Sequence, residues 1–224
     1  MPIHGGARIP FPIALTFDDG PGPHTFRLLR ILDGVRGHAT FFAVGQRVDE
    51  FPDQARAVVR QGSDLWGHGW DHRSLVGMPA EEASAQITRT RDLIERVTGV
   101  APPAFRPPYG DVDTALTVRA AALGQAIIVW SLDSGDWRHG DEMTTVRTVL
   151  NAACPGAIVL CHESVDSTVS AMARAIPALA ARGFQLVTVA RLQRLEGQTP
   201  SPGRIYPGRG TAVGGWRPDQ PIHQ

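Results

Sequence analysis

The sequence predicts an α/β fold with a parallel sheet made of about seven β/α units. Short runs of apolar residues alternate along the chain with longer segments that repeat apolar residues at helical spacing. Charged and imidazole side chains directly follow several of these runs, as they do at the carboxyl ends of parallel strands, where α/β proteins build their sites. No apolar run approaches the roughly 18 residues that a membrane-spanning helix needs.

The strands are predicted from short apolar runs that end at acidic residues, glycine or proline. The first run ends just before an Asp-Asp-Gly-Pro turn, and the longest contains the apolar stretch from Ala126 to Trp130. In chain order, the predicted strands cover 12–17, 39–44, 64–67, 104–106, 125–132, 156–162 and 184–188.

Helices are predicted between these strands from apolar spacing and from residues that favour helix ends. Thr25 suits the N-cap of the first helix because it follows a Pro-Gly-Pro turn. In the longest helix, Pro79 suits the first turn, Glu81 and Glu82 favour the positive end of the helix dipole, and Gly99 suits the C-terminal cap. The predicted helices cover 25–35, 47–62, 79–98, 111–123, 141–153 and 166–182.

The composition indicates one domain with two flanking segments. Residues 12–196 form the predicted domain, and the segment 1–11 lacks the apolar stretch of an export signal. The last segment, 197–224, holds 11 glycines and prolines among 28 residues, so we expect an irregular tail. Lys and Arg together number 22, as do Asp and Glu, so the chain lacks the net charge of a nucleic-acid or anionic-membrane binder. The two cysteines, Cys154 and Cys161, are too few for a disulfide framework, and we expect no bond between them.

Two adjacent carboxylates, Asp18 and Asp19, stand where the first predicted strand meets a turn. Consecutive side chains along a strand point to opposite faces, but a bend at Gly20 and Pro21 would let both acids reach one site. The alternative is that they are ordinary turn formers or helix caps. The motif alone leaves both interpretations open.

Two histidines four residues apart, His68 and His72, follow the third predicted strand. On a helical turn this spacing puts both imidazoles on one face at metal-ligand distance. A shuffled chain of this histidine content would contain such a pair about 0.25 times, so a chance pair is the alternative. Gly69, between the two, weakens the helical interpretation.

Three further strand ends carry polar side chains. Arg106 opens a stiff Arg-Pro-Pro-Tyr-Gly loop, which can hold its guanidinium and a following backbone N–H in place, or can be a plain turn with a surface ion pair. Asp136 and Trp137 close an acidic segment that could equally supply a turn cap and core packing. His162 ends the sixth strand. Because all five strand ends supply complementary groups, together they predict a hydrolytic site.

In their order along the chain, these segments resemble the motifs of NodB-like polysaccharide deacetylases of carbohydrate esterase family 4. The resemblance covers about residues 12–190, and five ordered motifs are highly specific although each is weak alone. It implies a distorted (β/α)7 barrel of the NodB homology type and metal-dependent removal of acetyl groups from a glycan. The sequence departs from the family at Gly67 and Gly69, where Asn and then Ser or Thr are usual, and at Glu163, where Asp is usual. The motifs are Thr16-Phe17-Asp18-Asp19-Gly20, His68-x-x-x-His72, Arg106-Pro107-Pro108-Tyr109-Gly110, Asp133-x-x-Asp136-Trp137 and Leu160-x-His162.

The resemblance implies a metal centre with an adjacent base. Asp19, His68 and His72 would be the ligands, with zinc as the expected ion and cobalt or nickel as substitutes. Asp18 would act as the general base, held and tuned by Arg106.

The resemblance also implies groups for the oxyanion, the leaving group and the acetyl methyl. The backbone N–H of Tyr109 would stabilise the oxyanion together with the metal. His162 would be the general acid, oriented by Asp136, while Trp137 and Leu160 would form an apolar wall around the methyl group.

The function implied is an N-deacetylase for N-acetylglucosamine units of chitin oligosaccharides or peptidoglycan. An acetylxylan esterase using the same residues and a glycan-binding barrel without turnover stay open as alternatives. We expect a monomer with an acetylated glycan as its partner, without nucleic acid and without a membrane-spanning segment. The family resemblance implies an extracellular or cell-surface location, although no signal peptide is visible in this chain.

Overall fold

The structure is a computed structural model that describes residues 11–210 and 215–217 of the 224-residue chain. The expectations for residues 1–10, 211–214 and 218–224 lie outside the described residues. Strands and helices alternate along most of the described chain, and every strand pair is parallel, so the predicted α/β class is confirmed. The strands are β1 (Phe11–Gly20), β2 (Thr40–Ala43), β3 (Asp64–Gly67), β4 (Ala104–Phe105), β5 (Ala126–Ile128), β6 (Leu132–Asp133), β7 (Ile158–His162), β8 (Phe184–Leu186) and β9 (Ile205–Tyr206).

The helices follow the predicted order with three differences. The segment 47–62 forms two helices, because Phe51 leaves helical geometry and Pro52 begins a new helix, a position where its missing N–H costs nothing. A short helix after β6 and a helix after β8 were not predicted. The helices are α1 (Thr25–Asp33), α2 (Gly45–Glu50), α3 (Pro52–Gln61), α4 (Ala80–Thr98), α5 (Thr114–Ala122), α6 (Asp136–His139), α7 (Glu142–Ala152), α8 (Asp166–Ala181) and α9 (Val189–Leu195).

The sheet runs in the order β6, β7, β1, β2, β3, β4, β5, β9, with β8 also paired to β1. The single strand predicted over 125–132 is in fact two strands, β5 near one edge of the sheet and β6 at the other. Between them the Val129 N–H donates to Tyr206 of β9, while the Ser131 N–H donates to Ile158 of β7. One stretch of chain therefore joins both edges and curls the sheet into a distorted barrel.

Strand alternation divides the apolar core into two layers. Ile13, Leu15 and Phe17 of β1 pack in the outer layer, which contains most of the helix residues. Ala14 of β1 packs in the inner layer with Phe42 and other inward residues of the neighbouring strands. Because side chains alternate along a strand, the inward row of β1 continues beyond Ala14 through residue 16 to residue 18. The inner row thus changes from apolar to polar near the carboxyl ends of the strands.

The segment after α9 is partly regular. The predicted irregular tail contains β9, whose two residues pair with β5 and cover that edge of the sheet. Glycine and proline frequency did not predict this strand, because tertiary pairing overrides composition over so short a length. Cys154 and Cys161 are both free, and no described helix has the length and apolarity to cross a bilayer.

Candidate active site

A β-bulge at the end of β1 turns two adjacent carboxylates toward one point. Asp18 pairs with β2 and β7, the next residue paired with β2 is Gly20, and Asp19 between them has a φ of 73°. His68 Nε2 consequently lies 3.5 Å from Asp18 Oδ2 and 3.6 Å from Asp19 Oδ1. The sequence predicted a bend at Gly20 and Pro21, whereas the backbone reverses one residue earlier, at Asp19.

Asp19, His68 and His72 form a cluster that fits a metal ion. Their candidate ligand atoms all lie within 4.8 Å of one another, and His72 Nε2 is 3.2 Å from Asp19 Oδ1. That oxygen is buried and accepts no hydrogen bond from the described residues, which is costly unless a cation compensates it. One carboxylate and two imidazoles are donors that suit zinc, cobalt or nickel.

The two histidines meet by a different route from the one expected. The segment that contains them is an irregular bend, not a helical turn, and His72 has a φ of 62°. The His68 and His72 rings lie 4.9 Å apart. The carboxamide oxygen of Gln86 in α4 holds the bend by accepting hydrogen bonds from the N–H groups of Trp70 at 2.7 Å and Asp71 at 3.2 Å. No sequence motif marked Gln86 for this role.

The surroundings of His68 favour the neutral imidazole that a metal ion would bind. Its Nδ1 lies 2.7 Å from the carbonyl oxygen of Arg106. A carbonyl only accepts, so Nδ1 carries the proton and Nε2 faces Asp19 with a free electron pair. Burial lowers the pKa of His68 to about 4, against the opposing charge of Asp18. Burial disfavours ionisation of Asp19, but the nearby imidazoles of His72, His162 and His68 outweigh it and hold its pKa below the usual value.

Arg106 holds Asp18 from inside the barrel. Its guanidinium is fully buried, which contradicts the surface ion pair considered from the sequence. Nη1 donates to Asp18 Oδ1 at 2.7 Å and to Thr16 Oγ1 at 2.8 Å, while Nε and Nη2 donate to the carbonyl oxygens of Ile128 and Val129. A buried charge of this kind is tolerated only when its donors are paired, as they are here. Asp18 Oδ2 remains directed toward His68, a member of the Asp19–His68–His72 cluster.

His162 and Asp136 form a second buried pair, and His162 stands next to Asp18 on the neighbouring strand β7. Asp136 Oδ1 accepts from His162 Nδ1 and the Trp137 N–H, both at 2.8 Å, and Oδ2 accepts from the His162 N–H at 2.7 Å and Thr168 Oγ1 at 2.6 Å. Burial opposes the imidazolium, but the hydrogen bond and charge of Asp136, aided by Asp19, raise the pKa of His162 to about 9. At neutral pH both ring nitrogens of His162 therefore carry a proton. Nδ1–H is bonded to Asp136, and Nε2–H is not.

One cleft brings the two pairs and the histidines together with an apolar wall. Tyr109 packs its ring edgewise on His72 at 4.8 Å and has a φ of 61°. Trp137 and Leu160 line the cleft, and so does Trp130, which no sequence motif indicated. The cleft is lined by Asp18, His68, His72, Tyr109, Gly110, Trp130, Trp137, Leu160 and His162.

A larger cavity, of about 550 Å³, lies at the opposite ends of the strands. It is lined by His38, Asp64 and Thr188 with three arginines, and by none of the residues singled out from the sequence. The candidate site is therefore identified by its chemistry and not by its volume.

Comparison with known proteins supplies a family for this arrangement. The family model described as polysaccharide deacetylase matches residues 6–128. The peptidoglycan-N-acetylmuramic acid deacetylase PdaC of Bacillus subtilis is 36% identical over 187 residues, which cover 83% of this chain and 39% of PdaC. A chitooligosaccharide deacetylase of Rhizobium leguminosarum is 34% identical, over 78% of this chain and 88% of that protein. This chain thus spans about two fifths of the length of PdaC.

Solved structures agree with the sequence comparison. The structure of PdaC superposes with a TM-score of 0.80 at 35% identity, covering 84% of this chain and 92% of that one. A family 4 acetyl xylan esterase from Clostridium thermocellum, solved with a cobalt ion, gives a TM-score of 0.81 at 30% identity, covering 91% of this chain and 99% of that one.

Proposed function

The chain belongs to the polysaccharide deacetylase family, and from this membership we propose that it is a metal-dependent hydrolase that removes acetyl groups from N-acetylglucosamine units of chitin oligosaccharides or peptidoglycan. The observation that carries the proposal is the meeting of two buried pairs in one cleft. Arg106 holds Asp18 and Asp136 holds His162, and both Asp18 and His162 line the cleft beside the candidate metal ligands. This arrangement supplies a base and an acid next to the metal-ligand cluster.

Asp19, His68 and His72 would hold the ion in this proposal. A divalent cation at these ligands supplies Lewis acidity toward a carbonyl oxygen and lowers the pKa of water. The unpartnered Asp19 Oδ1 and the free Nε2 of His68 support this assignment. Zinc is the proposed ion, and cobalt or nickel would also suit one carboxylate and two imidazoles.

Asp18 would take the proton of the attacking water. Arg106 occupies Oδ1 of Asp18 through Nη1, so the other oxygen is directed toward His68 and the cluster. Because Arg106 is itself fixed by three further acceptors, the carboxylate is held in one orientation.

The backbone N–H of Tyr109 would stabilise the oxyanion that forms on the acetyl carbonyl. The left-handed backbone at Tyr109 and the packing of its ring on His72, a candidate ligand, support this role. Trp137 and Leu160 line the same cleft and would surround the acetyl methyl group while excluding bulk water.

His162 would protonate the departing sugar nitrogen. A pKa of about 9 keeps the imidazole protonated at neutral pH, and the hydrogen bond from Nδ1 to Asp136 directs Nε2–H away from that partner. A leaving amine must gain a proton as the C–N bond breaks, whereas a leaving alkoxide depends less on one. The firmly protonated His162 therefore favours an amide substrate over an ester.

An acetylxylan esterase is the second candidate, and the likeness to the Clostridium thermocellum esterase favours keeping it. The test is acetate release by chelator-stripped protein before and after stoichiometric zinc is restored, on N-acetylglucosamine oligomers, peptidoglycan and acetylxylan. Zinc-dependent release from the first two supports the proposal, and the relative rates on them distinguish chitin-type oligomers from peptidoglycan. Release from acetylxylan alone supports the esterase, and zinc binding without any release contradicts both.

A further inference from the structure

The described residues after β9, 207–210 and 215–217, form a C-terminal segment that crosses the open seam of the barrel. The Arg209 N–H donates to the Gly156 carbonyl at 2.8 Å, just before β7, and Cys154 Sγ lies 3.8 Å from the Arg209 carbonyl oxygen. Beyond this crossing, the Trp216 N–H donates to the Trp130 carbonyl at 3.0 Å. The described residues of the segment therefore contact two places, the chain before β7 and the Trp130 wall of the cleft.

The indole of Trp216 forms a hydrogen bond with the turn that follows β4. Its Nε1 donates to the Gly110 carbonyl at 2.7 Å. Gly110 lies between two indoles, since a Cβ added there would stand 2.6 Å from Trp130 Cη2 and 3.0 Å from Trp216 Cδ1. With a φ of 68° and no side chain, only glycine fits this position without displacing an aromatic ring.

The backbone of the turn adopts a conformation that is unfavourable for one of its residues. Tyr109 and Gly110 are both left-handed, a conformation that costs a tyrosine free energy. Two hydrogen bonds close the turn, from the Gly110 N–H to Pro107 and from the Asp111 N–H to Pro108. The Trp216 indole supplies a third bond from outside the turn, beside the residue whose ring packs on His72.

We propose that Trp216 is a positioning residue that fixes the Tyr109–Gly110 turn and thereby the oxyanion-binding N–H of Tyr109. The inference rests on the proposed function, and it makes a residue outside the predicted domain, 12–196, part of the active-site structure. A small displacement of an oxyanion donor weakens catalysis without weakening substrate binding, because the charge it stabilises exists only in the transition state.

The test compares Trp216→Phe with Tyr206→Phe. The first keeps an aromatic ring but removes the indole donor to Gly110. The second removes a matched donor in the same part of the chain, the Tyr206 hydroxyl that donates to the Thr199 carbonyl at 3.0 Å, away from the turn. Two readouts are used: hydrogen exchange of the Gly110 amide in metal-free protein, and kcat and KM of zinc-loaded protein.

We expect Trp216→Phe to speed exchange of the Gly110 amide by about tenfold and to lower kcat by about tenfold to a hundredfold with KM unchanged. Tyr206→Phe should leave both readouts as in the wild type. Wild-type exchange and kcat in Trp216→Phe, or an equal loss in Tyr206→Phe, would overturn the inference. If the wild type releases no acetate, the proposed function fails, while the exchange comparison still decides whether Trp216 fixes the turn.

Discussion

Replacing Asp136 by asparagine should convert His162 from a protonated to a largely neutral imidazole at pH 8. The carboxylate is the main source of the raised pKa, since burial alone acts in the opposite direction. Asparagine keeps the size of the side chain and removes its charge. One of its two terminal atoms becomes a donor, so it cannot satisfy all four of the donors that now converge on the carboxylate.

The magnitude follows from the two pKa values. With the charge removed, we expect the pKa of His162 to fall from about 9 to the ordinary 6.5 or below, a loss of ~3 kcal/mol of interaction with the imidazolium. At pH 8 the protonated fraction would fall from about 90% to about 3%, and at pH 6 from nearly all to about 75%. Because His162 acts as an acid, activity is lost as pH rises through its pKa. The penalty should therefore be about twentyfold larger at pH 8 than at pH 6.

The contribution of His162 to the free energy of unfolding also decreases as pH rises. A histidine whose pKa is raised in the folded state stabilises the fold fully below pH 6.5 and loses that contribution as pH rises through about 9. Asp136→Asn should therefore lower the free energy of unfolding most at acidic pH, by ~3 kcal/mol plus the cost of an unpaired donor.

The assay is an NMR titration of the His162 imidazole in metal-free protein. Thr168→Val is the matched control, because it removes one donor from the same carboxylate and leaves the charge in place. We expect the pKa of His162 to stay within about one unit of 9 in the control. A pKa near 9 in Asp136→Asn would refute the electrostatic explanation.

Three further predictions concern groups that support the site. Gln86→Ala should weaken metal affinity by about tenfold to a hundredfold in a competition titration, because two N–H groups of the ligand bend lose their acceptor, whereas Gln86→Glu keeps an acceptor and should come close to the wild type. Burial raises the pKa of Glu163 to about 8, so wild-type stability falls by ~4 kcal/mol as pH rises from 4.5 to 8. Glu163→Gln should therefore raise the Tm of metal-free protein by about 8–16 °C at pH 8 and little at pH 4.5, and an equal gain at both pH values would contradict this. Arg106→Lys should lower kcat about a hundredfold, because one ammonium cannot replace the planar fork that holds Asp18, and unchanged kcat would contradict that role.

The strand pattern explains why the sequence located so many groups of the site. Inward residues alternate along each strand, so the row of Ile158 and Leu160 ends at His162, and the row of Trp66 ends at His68. Parallel strands bring their carboxyl ends to one edge of a sheet, and residues from distant parts of the chain meet there. Motif position along the chain therefore predicted most of the side chains that share the cleft, although not Trp130.

The strand pattern and the sequence motifs did not predict the contacts that hold these side chains. Gln86 lies on a helix face that reads as ordinary amphipathic sequence, and its carboxamide gains a role only because α4 packs beside the ligand bend. Gly69, where the sequence departs from the family, has no side chain to hold that bend, and Gln86 supplies an acceptor from another element. Likewise β9 and Trp216 are defined by tertiary pairing, which a stretch rich in glycine and proline does not reveal.

The sequence also did not predict the left-handed backbone at three residues of the candidate site, and this backbone sets the positions of their groups. Among the described residues, four non-glycine positions have left-handed φ values, and three of them are Asp19, His72 and Tyr109. Each conformation costs roughly 1 kcal/mol or more relative to regular geometry. In a regular strand, the side chain of Asp19 would point to the face opposite that of Asp18. In a regular helix, the backbone at His72 would not make the bend that it makes here. Glycine would relieve the cost at all three positions, but at Asp19 and His72 it would also remove a candidate metal-binding side chain. The fold therefore bears this backbone cost at positions where the candidate site uses the side chain as well as the path of the backbone.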